Sequence, residues 1–357
     1  MPGAVGSPPE HYGNPLAEQR SLASGGAIVD LADRAVLAVT GEDRLTWLDS
    51  LTSQSVAKLA PGESAETLLL EPTGRLEYDI RMLDDGVTTW LLLEAAEAVG
   101  LSAWLNRMIF MLRVGVEDRS AEFATIGTLG APELPAAAPN GVPLLWHDPW
   151  PAVTAGGHQY AATAAHPGSA WTYSEILVER RALPELVEGL VQRGVAVAGT
   201  LALEALRIAA WRPRLATEVD DRTIPHELDW LRSAVHLTKG CYRGQETIAK
   251  VHNLGHPPRR LVMLHLDGSD GVLPSHGDAV LLGDVEVGTV TSAAVHYELG
   301  PIALAVVKRT TDPDAQLIVR AGEVDIAAAQ EVIVPPSAGA EADIPRLPRL
   351  GGRPAKA

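Results

Sequence analysis

The stretch ETLLLEPTGRLEYDIRMLDDGVTTWLLLE, residues 66–94, permits few folds. Three β-prone runs are separated only by the turns Pro72-Thr73-Gly74 and Asp84-Asp85-Gly86. Turns this short join neighbouring antiparallel strands, because a parallel pair needs a long crossover. The stretch therefore predicts an antiparallel meander. Just before it, RAVLAVTG (34–41) alternates as a strand. Thr40-Gly-Glu-Asp43 has the spacing of a capping box and predicts a helix start, with Leu45, Leu48 and Leu51 on one face. A second helix is predicted over about 95–109, followed by two more strands.

A chain of 357 residues exceeds one ordinary core, so two or three domains are expected. Residues 1–25 are rich in Pro, Gly and Ser and read as a surface arm. Residues 26–128 form a first α+β unit. A second α+β unit, 129–258, opens with a Pro/Ala-rich linker (129–145). It then carries the strand WTYSEILVE, the helix LPELVEGLVQRG stopped by Gly194, and the helix TLALEALRIAAW (200–211) ended by Pro213. From Arg259 to 334 short strands alternate with Gly and Asp, which predicts a small β-barrel. Residues 335–357 read as a disordered tail. The fold class is thus α+β: antiparallel sheets plus helices, with a C-terminal barrel.

The single cysteine, Cys241, excludes an internal disulfide and an all-cysteine metal centre. The N-terminus lacks the charge and apolar run of a secretory signal, and the most apolar window is broken by Glu94 and Glu97. A cytoplasmic protein without a membrane segment is expected. The net charge of −16 argues against general nucleic-acid binding. Residues 205–260 nevertheless hold ten Lys/Arg against six Asp/Glu, a local +4 that suggests an anionic ligand. No metal site is expected: His252 and His256 are four apart, but Gly255, Pro257 and Pro258 break the helix that would align them.

Cys241 lies in TKGCYRGQE, residues 238–246. A thiol reacts as its thiolate, which nearby positive charge or a helix N-terminus favours. Lys239 supplies the first, and GQETIAKV predicts a helix starting near Gly244. Gly240 and Gly244 permit close approach or positive φ. A buried structural cysteine is the alternative.

KGCYRGQE (239–246) resembles the motif of the YgfZ-type folate-binding proteins, relatives of the glycine-cleavage T-protein (aminomethyltransferase). Residues 34–83, 203–228 and 283–309 resemble other parts of that family. The resemblance implies a T-protein-like arrangement of domains around a central opening that holds tetrahydrofolate or a derivative. It implies Cys241 and Lys239 as catalytic residues. Trp211 or Tyr242 is expected near the folate ring, and Arg207, Lys239 or Arg243 near its anionic tail. Gln245 and Glu246 complete the expected binding set, with Gly240 and Gly244 shaping the loop. Two departures argue against glycine-cleavage aminomethyl transfer. Leu101 falls where T-proteins carry an aspartate, and RIAAW (207–211) places Ala209 where RIEAG has its glutamate. The function implied is an accessory protein for iron–sulfur cluster assembly or repair, with iron–sulfur client proteins as partners. A folate-dependent one-carbon transferase and a non-catalytic folate-binding scaffold are the alternatives.

Overall fold

The computed structural model describes residues 4–130 and 134–342. The elements are numbered along the chain. The helices are α1 (Pro15–Ala23), α2 (Arg44–Leu51), α3 (Ala95–Arg107), α4 (Leu183–Gln192), α5 (Thr200–Ala209), α6 (Leu215–Glu218) and α7 (Gln245–Leu254). One sheet has the order β3 (Ser64–Leu70), β4 (Leu76–Asp84), β5 (Thr88–Leu93), β2 (Ala35–Thr40), β6 (Gly115–Asp118). A second has the order β10 (Ala196–Ala198), β1 (Ala27–Leu31), β7 (Phe123–Leu129), β9 (Tyr173–Glu179), β8 (Leu145–His147). Strands β11 (Arg259–Leu266), β12 (Ala279–Leu282), β13 (Val285–His296), β14 (Gly300–Lys308), β15 (Leu317–Ala321) and β16 (Val324–Val332) close a barrel.

The meander is present as the antiparallel run β3–β4–β5. Because side chains alternate across a sheet, each strand serves two faces. Ile80, Met82, Leu91 and Leu93 pack with α2 and α3 through Leu48, Leu101 and Leu105. The opposite face, with Leu68, Leu83, Trp90 and Leu92, joins Tyr173 and Leu177 of the second sheet, Leu206 of α5 and Leu304 of the barrel in one continuous core. Ile176 and Val178 turn the other way, onto α4. The two sheets thus face each other, with α5 and the barrel closing the side.

Several local expectations change. The first-unit helix begins at Arg44 without a capping box: Asp43 gives its carboxylate to the backbone and guanidinium of Arg113 instead. The capping box belongs to α3, between Glu94 and Glu97. Helix α5 stops at Ala209 rather than 211, because Trp211 adopts a left-handed φ of 59°. That conformation costs a bulky residue about 1–2 kcal/mol. It falls at the position of the glycine in RIEAG, and burial of the indole in the core offsets it.

The N-terminal arm is not merely laid on the surface. Helix α1 buries Leu22 completely, and the Pro9 and Glu10 carbonyls accept the first N–H groups of α5 at 3.0 Å each. Part of the tail read as disordered is also packed. Ala338 is buried, and the Glu341 N–H donates to the His252 carbonyl of α7 at 2.9 Å. Residues 343–357 lie outside the described residues.

Helix α7 starts directly after Gly244, whose φ of +85° is left-handed. A Cβ there would stand 2.6 Å from the Glu71 carbonyl of the β3–β4 turn, so the close approach needs glycine. Gly240 differs: nothing stands within 4 Å of its Cβ position. Gly244→Ala is expected to destabilise the protein by about 2 kcal/mol or more, from strain and overlap together. Gly240→Ala is expected to change stability by no more than about 0.5 kcal/mol. Paired melting curves check both; equal shifts would contradict the close approach.

Candidate functional site

A cavity of about 180 Å³ lies where the two sheets and α5 meet. Its wall takes Asp79 and Arg81 from β4, Glu94 from the start of α3, Arg34 from the β1–β2 turn and Tyr173 from β9. Trp171 and Asp148 come from beside that strand. Arg207 of α5, the following Arg212 and Arg214, and Pro8 of the N-terminal arm with Leu203 and Glu204 of α5 also line it.

Its arginines are matched by carboxylates. Glu175, fully buried beneath the wall, accepts from Arg34, from Arg81 at 3.1 Å and from the Tyr173 hydroxyl at 3.0 Å. Burial opposes its charge, but Arg34 and Arg81 outweigh burial and hold it below the usual carboxylate range. Glu94 receives both ends of the Arg214 fork at 3.0 Å. Against its own burial, Arg34 and Arg214 hold it ionised. Arg212 donates to Asp148 at 2.9 Å and to Glu66.

Three fully buried polar atoms of this network have no partner: Asp79 Oδ1, Arg212 Nη1 and Glu175 Oε2. Folded proteins leave few such groups, because each costs about 1–3 kcal/mol. Two of them, Asp79 Oδ1 and Arg212 Nη1, belong to wall residues, an acceptor and a donor that suit a flat ligand carrying both. The volume suits a ring-sized body, and Arg214, with Nε and Nη2 on Glu94, stands at the more exposed side. Its side chain is 33% exposed, whereas those of Arg34, Arg81, Arg207 and Arg212 are 10% or less.

Of the residues expected at a ligand, Arg207 alone lies on this wall. It is not free to hold an anion: Glu204, Glu218, Ser292 and the Arg212 carbonyl take its guanidinium. Trp211 sits in the core, edge-on to His166 at 5.1 Å, with its indole N–H unpartnered. The +4 of residues 205–260 is largely cancelled by carboxylates outside that window, such as Glu66, Glu94, Asp148 and Glu204.

The cysteine loop contributes no side chain to the cavity wall. Cys241 is exposed. The Lys239 ammonium hydrogen-bonds backbone carbonyls rather than the thiol. It is buried at the C-terminal end of α2, donating to the carbonyls of Asp49 (2.6 Å), Thr52 (2.9 Å) and Gln54 (2.6 Å). Helix ends leave such carbonyls without partners, so Lys239 acts as a cap in trans. The Tyr242 ring lies beneath the ammonium, 5.4 Å away, with its hydroxyl buried and unpartnered. Arg243 pairs with Glu77 of β4 and covers Trp104 of α3 at 5.5 Å. Gln245 reaches the Lys239 carbonyl at 3.4 Å, and Glu246 is exposed in the first turn of α7. The motif thus builds a joint between the units and leaves one thiol outside.

Sequence reasoning missed Asp79, Arg81 and Glu175. Glu77, Asp79 and Arg81 alternate with Tyr78, Ile80 and Met82, a pattern that ordinarily marks a strand wet on one face. Here that face looks onto a second sheet. Among the described residues, no three His, Cys, Asp or Glu side chains form a metal site, and no helix is long and apolar enough to cross a membrane.

Leu101, where the T-protein aspartate would fall, is wholly buried in the α3 core. One turn earlier, burial, together with Glu94 and against the pull of Arg81, pushes Glu97 up to about 7. Between the ordinary value of 4.5 and about 7 the unfolded chain ionises first, so this group removes stability as pH rises through that window. Glu97→Gln keeps an acceptor for the capping box. It is expected to reduce the fall in melting temperature across that window relative to wild type; an unchanged slope would contradict the shift.

Residues 259–336 match the family model of the glycine cleavage T-protein C-terminal barrel domain. An aminomethyltransferase of Nostoc sp. (strain PCC 7120) is 27% identical over 313 residues, covering 84% of this chain and 81% of the relative. An aminomethyltransferase of Synechococcus sp. (strain RCC307) is 29% identical over 305 residues, covering 82% of each. The crystal structure of glycine cleavage system aminomethyltransferase T from Bartonella henselae superposes with a TM-score of 0.69 at 17% identity, covering 88% of each chain. The chain therefore has an aminomethyltransferase-like α+β fold that ends in a T-protein C-terminal barrel.

Proposed function

We propose that this protein binds a reduced folate in the central cavity and serves a folate-dependent role other than glycine-cleavage aminomethyl transfer. The observation that carries the reading is the cavity itself, with partnerless Asp79 Oδ1 and Arg212 Nη1 on wall residues of an aminomethyltransferase-like fold. The donor set fits the group. A pterin edge carries donors and acceptors suited to Asp79 and Arg212, and Arg214 at the more exposed side suits the carboxylates of a glutamate tail. When bound, tetrahydrofolate supplies a carrier for a one-carbon unit. The chain's own residues bind and orient the ring and exclude water from it.

Leu101 argues against aminomethyl transfer, since an aliphatic side chain in the α3 core offers no carboxylate to the ligand. The accessory role in iron–sulfur cluster assembly or repair rests on the sequence resemblance of KGCYRGQE, and the exposure of Cys241 is compatible with thiol chemistry on a partner protein. The folate-dependent transferase alternative is supported by the aminomethyltransferase relatives.

Calorimetry with tetrahydrofolate tests the binding. Arg214→Ala is expected to weaken it about tenfold, near 1.4 kcal/mol. Absence of binding by wild type at millimolar ligand would remove folate from the function. For the thiol, Cys241→Ala is expected to keep the melting temperature, because an exposed sulfur leaves no cavity. The same variant is expected to lose support of iron–sulfur enzymes in a deletion strain. Full complementation by it would end the thiol reading.

A further inference from the structure

We propose that the loop Phe110-Met111-Leu112 is a docking knob for another protein, one that offers an apolar cleft rimmed by basic side chains. The proposal does not rest on the folate reading.

The loop joins α3 to β6 and turns three consecutive large apolar side chains to solvent. Phe110 is 72% exposed, Met111 fully and Leu112 41%. Exposed apolar residues such as Val153 and Leu254 stand singly, which is ordinary in globular proteins. A run of three is different, because packing alone does not favour it.

The exposure is built into the fold. Before the run, Met108 and Ile109 pack against the core between the sheet and α3. The Met108 carbonyl accepts from the Trp47 indole at 3.3 Å. After the run, Val114 packs against the same core. The Arg113 N–H donates to Asp43 at 2.9 Å, and its guanidinium holds both Asp43 and Glu42. The Arg113 carbonyl lies so close over Gly41 that a Cβ there would stand 1.9 Å from it. Between these anchors Met111 adopts a φ of 50°, the left-handed region that residues with a side chain disfavour. Both flanks thus reach the core, and the three residues between them are held outward. A knob fixed in this way loses little freedom when it binds.

Charge selects the occupant. The loop and its neighbours carry Glu42, Asp43, Glu117 and Asp118 against Arg107 and Arg113, in a chain of net charge −16. An acidic surround is repelled by an anionic lipid surface. A second copy would bring two such surrounds together, and like charges across an interface are costly. A cleft with Lys and Arg around an apolar floor meets both the side chains and the charge. Strand β6 is the edge of its sheet, so the partner approaches a border that no other strand pairs among the described residues. Three side chains are few beside the about 20–30 residues a side of a stable interface, so the knob suits an anchor in a transient complex.

A photo-reactive benzophenone side chain placed at Met111 of the full chain, in living cells, tests this. The same group at the exposed Val285 of the barrel is the control. An adduct with one other protein is expected at Met111 and not at Val285, through an apolar peptide flanked by Lys or Arg. The combined variant Phe110→Ser, Met111→Ser, Leu112→Ser is expected to keep its melting temperature within a few degrees. Calorimetry with the purified adduct partner is expected to show its affinity reduced at least 100-fold. Glu117→Lys is expected to weaken the same binding about tenfold. Adducts with phospholipid or with this chain itself, or equal yields at the two positions, would overturn the proposal. So would unchanged affinity in the triple-serine variant. Unchanged affinity in Glu117→Lys would overturn the basic rim. A fall of the triple variant's melting temperature by ten degrees or more would make the loop structural and overturn the docking role.

Discussion

Everything between the two sheets depends on one carboxylate. Glu175 projects from β9 and accepts from Arg34 and Arg81, which come from the opposite sheet's side of the cavity. A lone buried carboxylate would cost far more than any contact returns. With two guanidinium groups and a phenol around it, the ion stays charged and the sheets are held in one relation. Apolar residues of similar volume would stabilise as well or better, so the network is better explained by what it specifies than by what it contributes. It fixes Arg34 and Arg81 so that their remaining donors approach Glu94, at 3.6 and 3.7 Å. Glu94 in turn orients Arg214 at the more exposed side of the cavity. The wall's guanidinium groups are thus each held by a carboxylate.

The sequence made the scaffold readable wherever local chemistry decides it. The meander follows from Pro72-Thr73-Gly74 and Asp84-Asp85-Gly86, and the barrel from its short strands and Gly/Asp turns. Helix α7 follows from Gly244 and the run after it. The ends of helices were less legible because they answer to distant groups. Asp43 is drawn from its capping role by Arg113, seventy positions along the chain. The site was least legible of all. Asp79 and Arg81 look like the wet face of a strand, and only the arrival of β9 across the core makes that face an interior.

The motif around Cys241 reads differently once packing is known. From sequence, Lys239 stands two residues from the thiol and invites an electrostatic role. The fold spends that charge on three carbonyls at the end of α2 and on the Tyr242 ring. Burial lowers the ammonium's pKa, and Asp49 opposes the shift. Arg243 makes a second tie, to Glu77 and Trp104, and Gly244 lets the loop close on the β3–β4 turn. Residues of a short motif can thus be required together for mechanical reasons. The thiol is the member of this set that the joint does not consume.

Leu101 and Ala209 bring no carboxylate, and the cavity wall is polar all the same. Leu101 has joined the α3 core, where an ionised group would find no partner. Polarity is retained on β4 and on the segment after α5, in Asp79, Arg81, Arg212 and Arg214. These residues belong to rigid elements: a central strand, and a turn locked by the left-handed Trp211 and by the Arg212 N–H donating to the Arg207 carbonyl at 3.1 Å. A chain under no demand to bind would gain stability by filling such a space with apolar side chains. Asp79 and Arg212 on this wall instead keep partnerless buried atoms, each costing about 1–3 kcal/mol in the ligand-free protein.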